Sequence, residues 1–388
     1  MKDTNERLYS LDALRGADML CIMGFSSAVI AVCQIFGFGA DCWLAEQMTH
    51  VAWHGLRQHD TIFPLFLFLA GASWPFSYAS QVAKGYSTVG ISLRIVKRAL
   101  LLIFLGAVSR KLFAFDFADV RYDSVLAHIG TCWAGAAFVF LIFKSWRTRI
   151  AVAFSLMIVH WLVLFLFRAP DAQALLGSTD PEIAKIVGAY AGTADDGFSF
   201  VGNVAGWIDR TFMPGVLYEK VFDPDGLLAK LTGTALALLG MVAGGIVREQ
   251  SLSGNRKTLL LAGAGAVALV VCLSWQQWCP VNKKIWTSTF VLASAAYSYF
   301  ALALFYWIID VKGCRRWTFF FRVIGMNAIT IYMLMRIVDF YGLSRFFLSG
   351  VAGWGDKPWQ AFVFMTGKIA IEWLLLWYLY RKKTFLRV

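Results

Sequence analysis

Apolar stretches of roughly 17 to 25 residues, long enough to cross a hydrocarbon core as α-helix, alternate along this chain with short polar connections. They recur about ten times on that length criterion, beginning near Ala17, Thr61, Leu93, Val125, Ile150, Leu227, Leu259, Trp286, Phe319 and Gln360. The pattern predicts an all-α fold, a polytopic membrane helix bundle of about ten to eleven transmembrane helices, organised as a single transmembrane domain over residues 1–388. One connection is much longer than the others: residues 169–226 show no strand pattern and carry Pro170, Pro181, Pro214 and Pro224. A cap of short helices over one end of the bundle is expected there. No cleavable leader is expected before the first span, because the first sixteen residues are charged and the first apolar run lacks a small-residue cleavage site.

Composition agrees with the pattern. With 59% hydrophobic and 15% charged residues, the chain is too apolar to maintain a soluble surface. Its net charge of +12 does not point to nucleic acid, because the cations are grouped between spans rather than along one face. They cluster at Lys2/Arg7/Arg15, Arg94/Lys97/Arg98, Lys144/Arg147/Arg149, Arg248/Arg256/Lys257, Lys312/Arg315/Arg316 and Arg381/Lys382/Lys383, in every second connection. The positive-inside rule then puts both termini in the cytoplasm. His50 to Asp60, Arg110 to Asp123, residues 169–226 and Trp275 to Lys284 fall on the outer side.

Candidate chemistry concentrates where the second span begins. The segment His50 to Pro64 holds three of the five histidines, His50, His54 and His59, together with Asp60, and a histidine exchanges protons near neutral pH. Asp12 and Arg15 stand three residues apart, the spacing of a structural ion pair on one helical face. Asp18 lies deeper, and an intramembrane carboxylate is a functional hypothesis by default. Arg94, Lys97 and Arg98, at i, i+3 and i+4, line one helical face with cations, which suits either lipid phosphates or a phosphorylated cytosolic cofactor. Asn327 places an amide inside a span, where it requires a partner or a ligand. Gly240 and Gly244 form a GxxxG spacing that predicts close helix packing, within or between protomers. Trp53, Trp278 and Trp286 sit near the outer face as sugar-stacking or interfacial aromatics, and His128 and His160 read as packing residues. The seven cysteines have no metal spacing. Cys42 and Cys279 share the predicted outer side, where a disulfide is chemically permitted. No metal site is expected from His50 and His54, which lack further ligands.

Five separated motifs, in order along the chain, resemble the heparan-α-glucosaminide N-acetyltransferase family in its bacterial branch: Arg7-Leu-Tyr-Ser-Leu-Asp-Ala-Leu-Arg-Gly; His50-Val-Ala-Trp-His-Gly-Leu with Asp60-Thr-Ile-Phe-Pro; Phe222-Asp-Pro-Asp-Gly-Leu-Leu; Asn282-Lys-Lys-Ile-Trp-Thr; and Gly325-Met-Asn-Ala. The resemblance implies a transmembrane acyltransferase domain, in a bacterial inner membrane, that moves an acetyl group from cytosolic acetyl-CoA to a glucosamine amine on the far side. It selects His50 as the catalytic histidine, and it suggests a homodimer in a lipid environment. His54 stands where the family usually has Asn, Ser26 where mammalian relatives carry a functional Asn, and Arg121…Ser124-Val-Leu-Ala-His128 replaces a pattern ending in Gln-Arg.

On this reading His50 is base or transient acetyl carrier, and Asp60 orients it or holds the sugar. Arg94, Lys97, Arg98 and Asn327 bind coenzyme A, while Trp53, His54, Asp18 and Trp286 face the amino-sugar acceptor. A donor at the cytoplasmic cations would lie about one bilayer core, ~30 Å, from His50. Two alternatives stay open: a proton-coupled amino-sugar transporter using Asp18, Asp60 and His50, and a membrane O-acyltransferase using His160.

Overall fold

The computed structural model describes residues 8–39, 41–110, 112–190 and 192–386; Lys2 and Arg7 of the first basic cluster lie outside them. The long helices, numbered here in chain order, are α1 (Tyr9–Ile35), α2 (Gln58–Ala83), α3 (Thr88–Val108), α4 (Val125–Ile142), α5 (Trp146–Leu166), α6 (Ala229–Arg248), α7 (Gly254–Trp275), α8 (Ser288–Val311), α9 (Thr318–Gly325), α10 (Ala328–Ile337), α11 (Phe340–Ala352) and α12 (Lys357–Arg381). The described residues form no strand, only the isolated bridges Arg121–Gly215 and Arg168–Asn203. Most starts carry a side chain that takes up an orphan backbone N–H: Ser87 for α3, Ser124 for α4, Ser145 for α5, Ser253 for α7, Thr287 for α8 and Asp356 for α12.

Among the described residues eight helices are long and apolar enough to cross a membrane, or nine if α9 and α10, bent by 65° at their junction, count as one span. This is an all-α polytopic bundle with fewer apolar spans than the ten to eleven expected, for two physical reasons. The stretch near Leu93 is the 21-residue α3, whose length suffices but which carries Arg94, Lys97 and Arg98. The stretch near Phe319 is the bent pair α9 and α10, which counts as a span only when its two halves are taken together.

Two features shape the bundle around a central space. First, α1 is interrupted at Cys21–Phe25, where a π-helical turn replaces the α-helix and Gly24 takes φ +127°. Lys368 of α12 repairs the break, donating from Nζ to the Met23 carbonyl at 2.5 Å while pairing with the fully buried Glu372 at 3.1 Å. Second, α2 and α6 touch backbone to backbone. A Cβ on Gly240 would lie 2.1 Å from the Phe68 carbonyl, one on Gly244 would lie 2.1 Å from that of Ala72, and one on Gly71 would lie 2.2 Å from that of Ala237. The Gly240/Gly244 spacing therefore serves packing within one chain. Large aromatics fill the space beside it: Trp74 meets Trp133 edge to face at 5.2 Å, and Phe68 meets Tyr299 at 4.9 Å.

Residues 169–226 hold three short helices, Ala172–Leu176, Pro181–Gly188 and Val204–Phe212. They are knitted together by the Arg210–Asp171 ion pair at 2.7 Å and by Asn203, which caps the third helix. The seven cysteines are free thiols, and Cys279 is buried beside Thr289, so the permitted Cys42–Cys279 bridge is not formed. Asp12 and Arg15 do pair, at 3.4 Å.

Gly240→Ala tests the close approach directly. Overpacking a tight contact costs about 1–3 kcal/mol, so its melting temperature in detergent should drop by several degrees. Gly245→Ala, whose Cβ would meet nothing within 4 Å, should melt like the parent within about 0.5 kcal/mol.

Candidate active site

A cavity of about 1290 Å³ runs lengthwise through the bundle. Along α2 its wall is made by Asp60, Phe63, Phe66, Ala70 and Ser73, one helical stripe about 20 Å long at 1.5 Å per residue. His50, His59 and Lys283 line one end, and Arg15, Ser73 and Arg98 line the other, with an apolar middle that includes Met19, Leu102 and Ile129.

The His50 end is organised by a carboxylate. Asp60 sits in the first turn of α2 with no solvent exposure and accepts hydrogen bonds from His50 Nδ1 at 2.7 Å, from the Arg57 N–H at 3.1 Å and from the Val51 N–H at 3.4 Å. Because an ionised carboxylate only accepts, His50 carries its proton on Nδ1, and Nε2 keeps its lone pair. The imidazole itself is 54% exposed. Arg57 braces the loop from the other side, bonding Thr49 Oγ1 at 2.6 Å and the His50 carbonyl at 3.3 Å.

Lys283 completes this end. Its Nζ lies 3.3 Å from Asp60 Oδ1, 3.0 Å from His50 Nδ1 and 3.5 Å from Nε2. Two donors do not bond each other, so with Nδ1 protonated the acid is the lysine's partner. Burial holds Lys283 below the usual lysine range, against the opposing pull of Asp60. The turn that aims it is built by Asn282, whose side-chain oxygen accepts from the N–H groups of Lys284 at 2.8 Å and Ile285 at 3.2 Å, a short polar side chain mimicking a backbone turn. Lys284 turns instead to Tyr190 and to Glu219 of the cap at 2.6 Å. His59 packs its ring 4.5 Å from that of His50 and shares a 3.0 Å hydrogen bond with Ser26 Oγ.

The remaining expected site residues are distributed unevenly. Trp286 is 1% exposed and forms cavity wall, lying over His128 with ring centroids 4.5 Å apart. Trp53 does not line the cavity: its indole N–H donates to the Phe198 carbonyl at 2.8 Å, and its ring packs among Tyr190, Phe200 and Phe222. It clamps the His50 loop to the cap. His54 points to the Asn282 side chain at 3.4 Å, and Asp18 is buried outside the cavity wall with Oδ2 unpartnered.

At the opposite end only one of the three clustered cations of α3 faces inward. Arg98 lines the cavity with its guanidinium 4.1 Å from the Trp133 ring centroid, whereas Arg94 lies over Tyr86 on the outside and Lys97 is exposed. Arg15, expected only as half of a structural pair, also bonds Ser73 Oγ at 3.1 Å beside the cavity. Asn327 is buried at the α9–α10 bend with Oδ1 unpartnered, behind Met326 and Ala328, which do line the space. His160 is fully buried in α5 away from the cavity.

Lys283 and His59 were not singled out from the sequence. The signal for Lys283 was present: Lys283-Lys284 is a basic pair in a connection that the charge rule leaves on the non-basic side. His59 had none beyond its place among three histidines.

No family model matches this chain. It is 26% identical, over 98% of its length, to the heparan-alpha-glucosaminide N-acetyltransferase of Homo sapiens, and 26% identical over its full length to the protein of the same name from Mus musculus. The chain spans 60% and 61% of the length of those two relatives. It is thus similar, along nearly all of its sequence, to the enzymes its motifs resemble.

Proposed function

We propose that this protein transfers an acetyl group from acetyl-CoA, entering at the end marked by Arg15 and Arg98, to the amine of a glucosamine-type sugar at the capped end. The observation that carries this reading is the single cavity joining the His50–Asp60 pair to those arginines. A thioester on a long flexible arm can traverse the apolar middle while charged groups at its head stay with the guanidinium groups. The stripe of about 20 Å along α2 is shorter than a whole bilayer core, so the cavity supports direct delivery to His50; an acetyl-histidine intermediate uses the same path.

His50 Nε2 performs the central step. As the neutral amine attacks the thioester carbonyl, Nε2 takes the proton that the nitrogen sheds, and Asp60 steadies the imidazolium that results. The thiolate leaving with coenzyme A then recovers that proton. In the relay variant, Nε2 attacks the thioester first and expels the coenzyme A thiolate; the sugar amine then displaces the acetyl group from Nε2, and its proton passes to that thiolate. The Lys283 ammonium, 3.5 Å from Nε2, is the nearest cation to the oxyanion that forms in either route. A transporter using Asp18 as part of a proton relay is disfavoured, because Asp18 stands outside the cavity wall.

With purified protein, labelled acetyl-CoA and glucosamine, His50→Ala should lower turnover by about 10³-fold or more, and Asp60→Asn by about 10²–10⁴-fold with little change in KM, as for other oriented bases. Full acetylation by His50→Ala would refute the assignment. Arg98→Ala should raise KM for acetyl-CoA about tenfold, the value of one charge-assisted contact, and change KM for the sugar less. For sidedness, a membrane-impermeant thiol reagent applied to intact cells should label Thr179→Cys in the cap but spare the exposed native Cys314 in a Cys42→Ser background; the opposite pattern reverses the orientation.

A further inference from the structure

The capped end of the cavity has a second set of cations that acetyl transfer does not use. Most basic groups nearby are committed to acids: Arg121 to Asp223 at 2.5 Å and Asp225 at 2.7 Å, Lys230 to Asp123, and Lys284 to Glu219. Arg110, just past the end of α3, and Arg336, in the last turn of α10, both line the cavity. Among the described residues neither guanidinium makes a salt bridge or a hydrogen bond, and Arg110 Nε is buried without a partner. Arg336 has only a ring, that of Tyr332 at 5.6 Å. Burial lowers the basicity of Arg110, and the charges of Arg121 and Arg336 lower it further. Arg110 is half-buried and Arg336 exposed, and Asp225, which acts on Arg110, is already bonded to Arg121, so the two guanidinium groups leave net positive charge on the cavity wall that an anion would satisfy.

Their surroundings indicate where that anion comes from. Phe113, Phe115 and Phe117 follow Arg110, Ile337 follows Arg336, and all four are exposed. Apolar side chains at helix ends of a membrane protein sit at the lipid interface, with adjacent arginines at the depth of phosphate groups. Arg110 and Arg336 line the same cavity as Asp225, Lys283 and His50, so a ligand held by the pair shares the space beside His50.

We propose that Arg110 and Arg336 bind the phosphate of an acceptor in which the amino sugar is esterified to a membrane-borne phosphate, holding the sugar so that its amine faces His50. This rests on the acetyl-transfer reading. Bidentate guanidinium contacts suit a phosphate diester at an interface, and the two arginines and the His50–Asp60 pair line one cavity, so phosphate and amine of one acceptor can be held at separate places on its wall.

The test compares glucosamine, glucosamine 1-phosphate and an alkyl glucosaminyl phosphate as acceptors in detergent, with wild type and Arg110→Gln/Arg336→Gln, and measures direct binding of the alkyl compound by calorimetry. KM should fall about tenfold from glucosamine to the phosphate, the effect of one charge-assisted anion contact, and again for the alkyl diester. In the double variant the ratio between the neutral and phosphorylated sugars should approach one. Equal KM values for all three acceptors in wild type overturn the proposal. So does a rise in KM for acetyl-CoA alone, which would assign the arginines to the donor, or equal displacement of the alkyl compound by phosphatidylglycerol, which would make this a headgroup site. Arginine-dependent binding without acetylation of any acceptor would support the site and refute acetyl transfer.

Discussion

A carboxylate with no exposure to solvent must be surrounded by donors, and around Asp60 four converge: the His50 imidazole, the backbone N–H groups of Val51 and Arg57, and the Lys283 ammonium. Removing the charge from such a centre typically costs about 3–5 kcal/mol when its partners stay behind. That cost fixes three separate pieces of chain. It sets the loop before α2 through Val51 and Arg57, the tautomer of His50 through Nδ1, and the turn before α8 through Lys283. The position of His50 and the proton on its Nδ1 both follow from this one buried group, which α2 carries in its first turn.

Burial does different things at the two ends of the cavity. At the capped end it collects most charges into closed sets, with Arg121 between Asp223 and Asp225 and Lys284 between Glu219 and Tyr190, and Arg110 and Arg336 stand outside them. At the other end Arg98 lies over Trp133 and, among the described residues, forms no salt bridge, while Arg15 divides itself between Asp12 and Ser73. An aromatic face attracts a cation without neutralising it, so that end keeps positive charge available to a ligand.

The bundle was legible because a spanning helix announces itself by length and apolarity alone. The bounds of α4, α5, α7 and α8 fall within a few residues of the stretches that the sequence marks. Residues that depend on which way a helix turns were harder to read. Arg94, Lys97 and Arg98 share a sequence pattern, yet only Arg98 meets the cavity, because rotation of α3 is set by packing against α4 rather than by its own charges. Trp53 and Trp286, read alike as acceptor-facing aromatics, part company for a similar reason: the Trp-His-Gly segment is covered by the cap, whereas Trp286 turns into the cavity wall at a left-handed residue, φ +47°. His50 and Asp60 were readable since both lie in one short segment, whereas Lys283 is brought to them from 233 residues away.

The link between Lys368 and the Met23 carbonyl joins the last long helix to the first. During synthesis α1 precedes α12, so the Met23 carbonyl lacks its lysine and the segment bearing Ser26 is not yet held. Only when α12 leaves the ribosome does the lysine arrive that closes the break. The wall that positions Ser26, and through it His59, therefore waits for α12, and a nascent chain lacks that wall until α12 has been made.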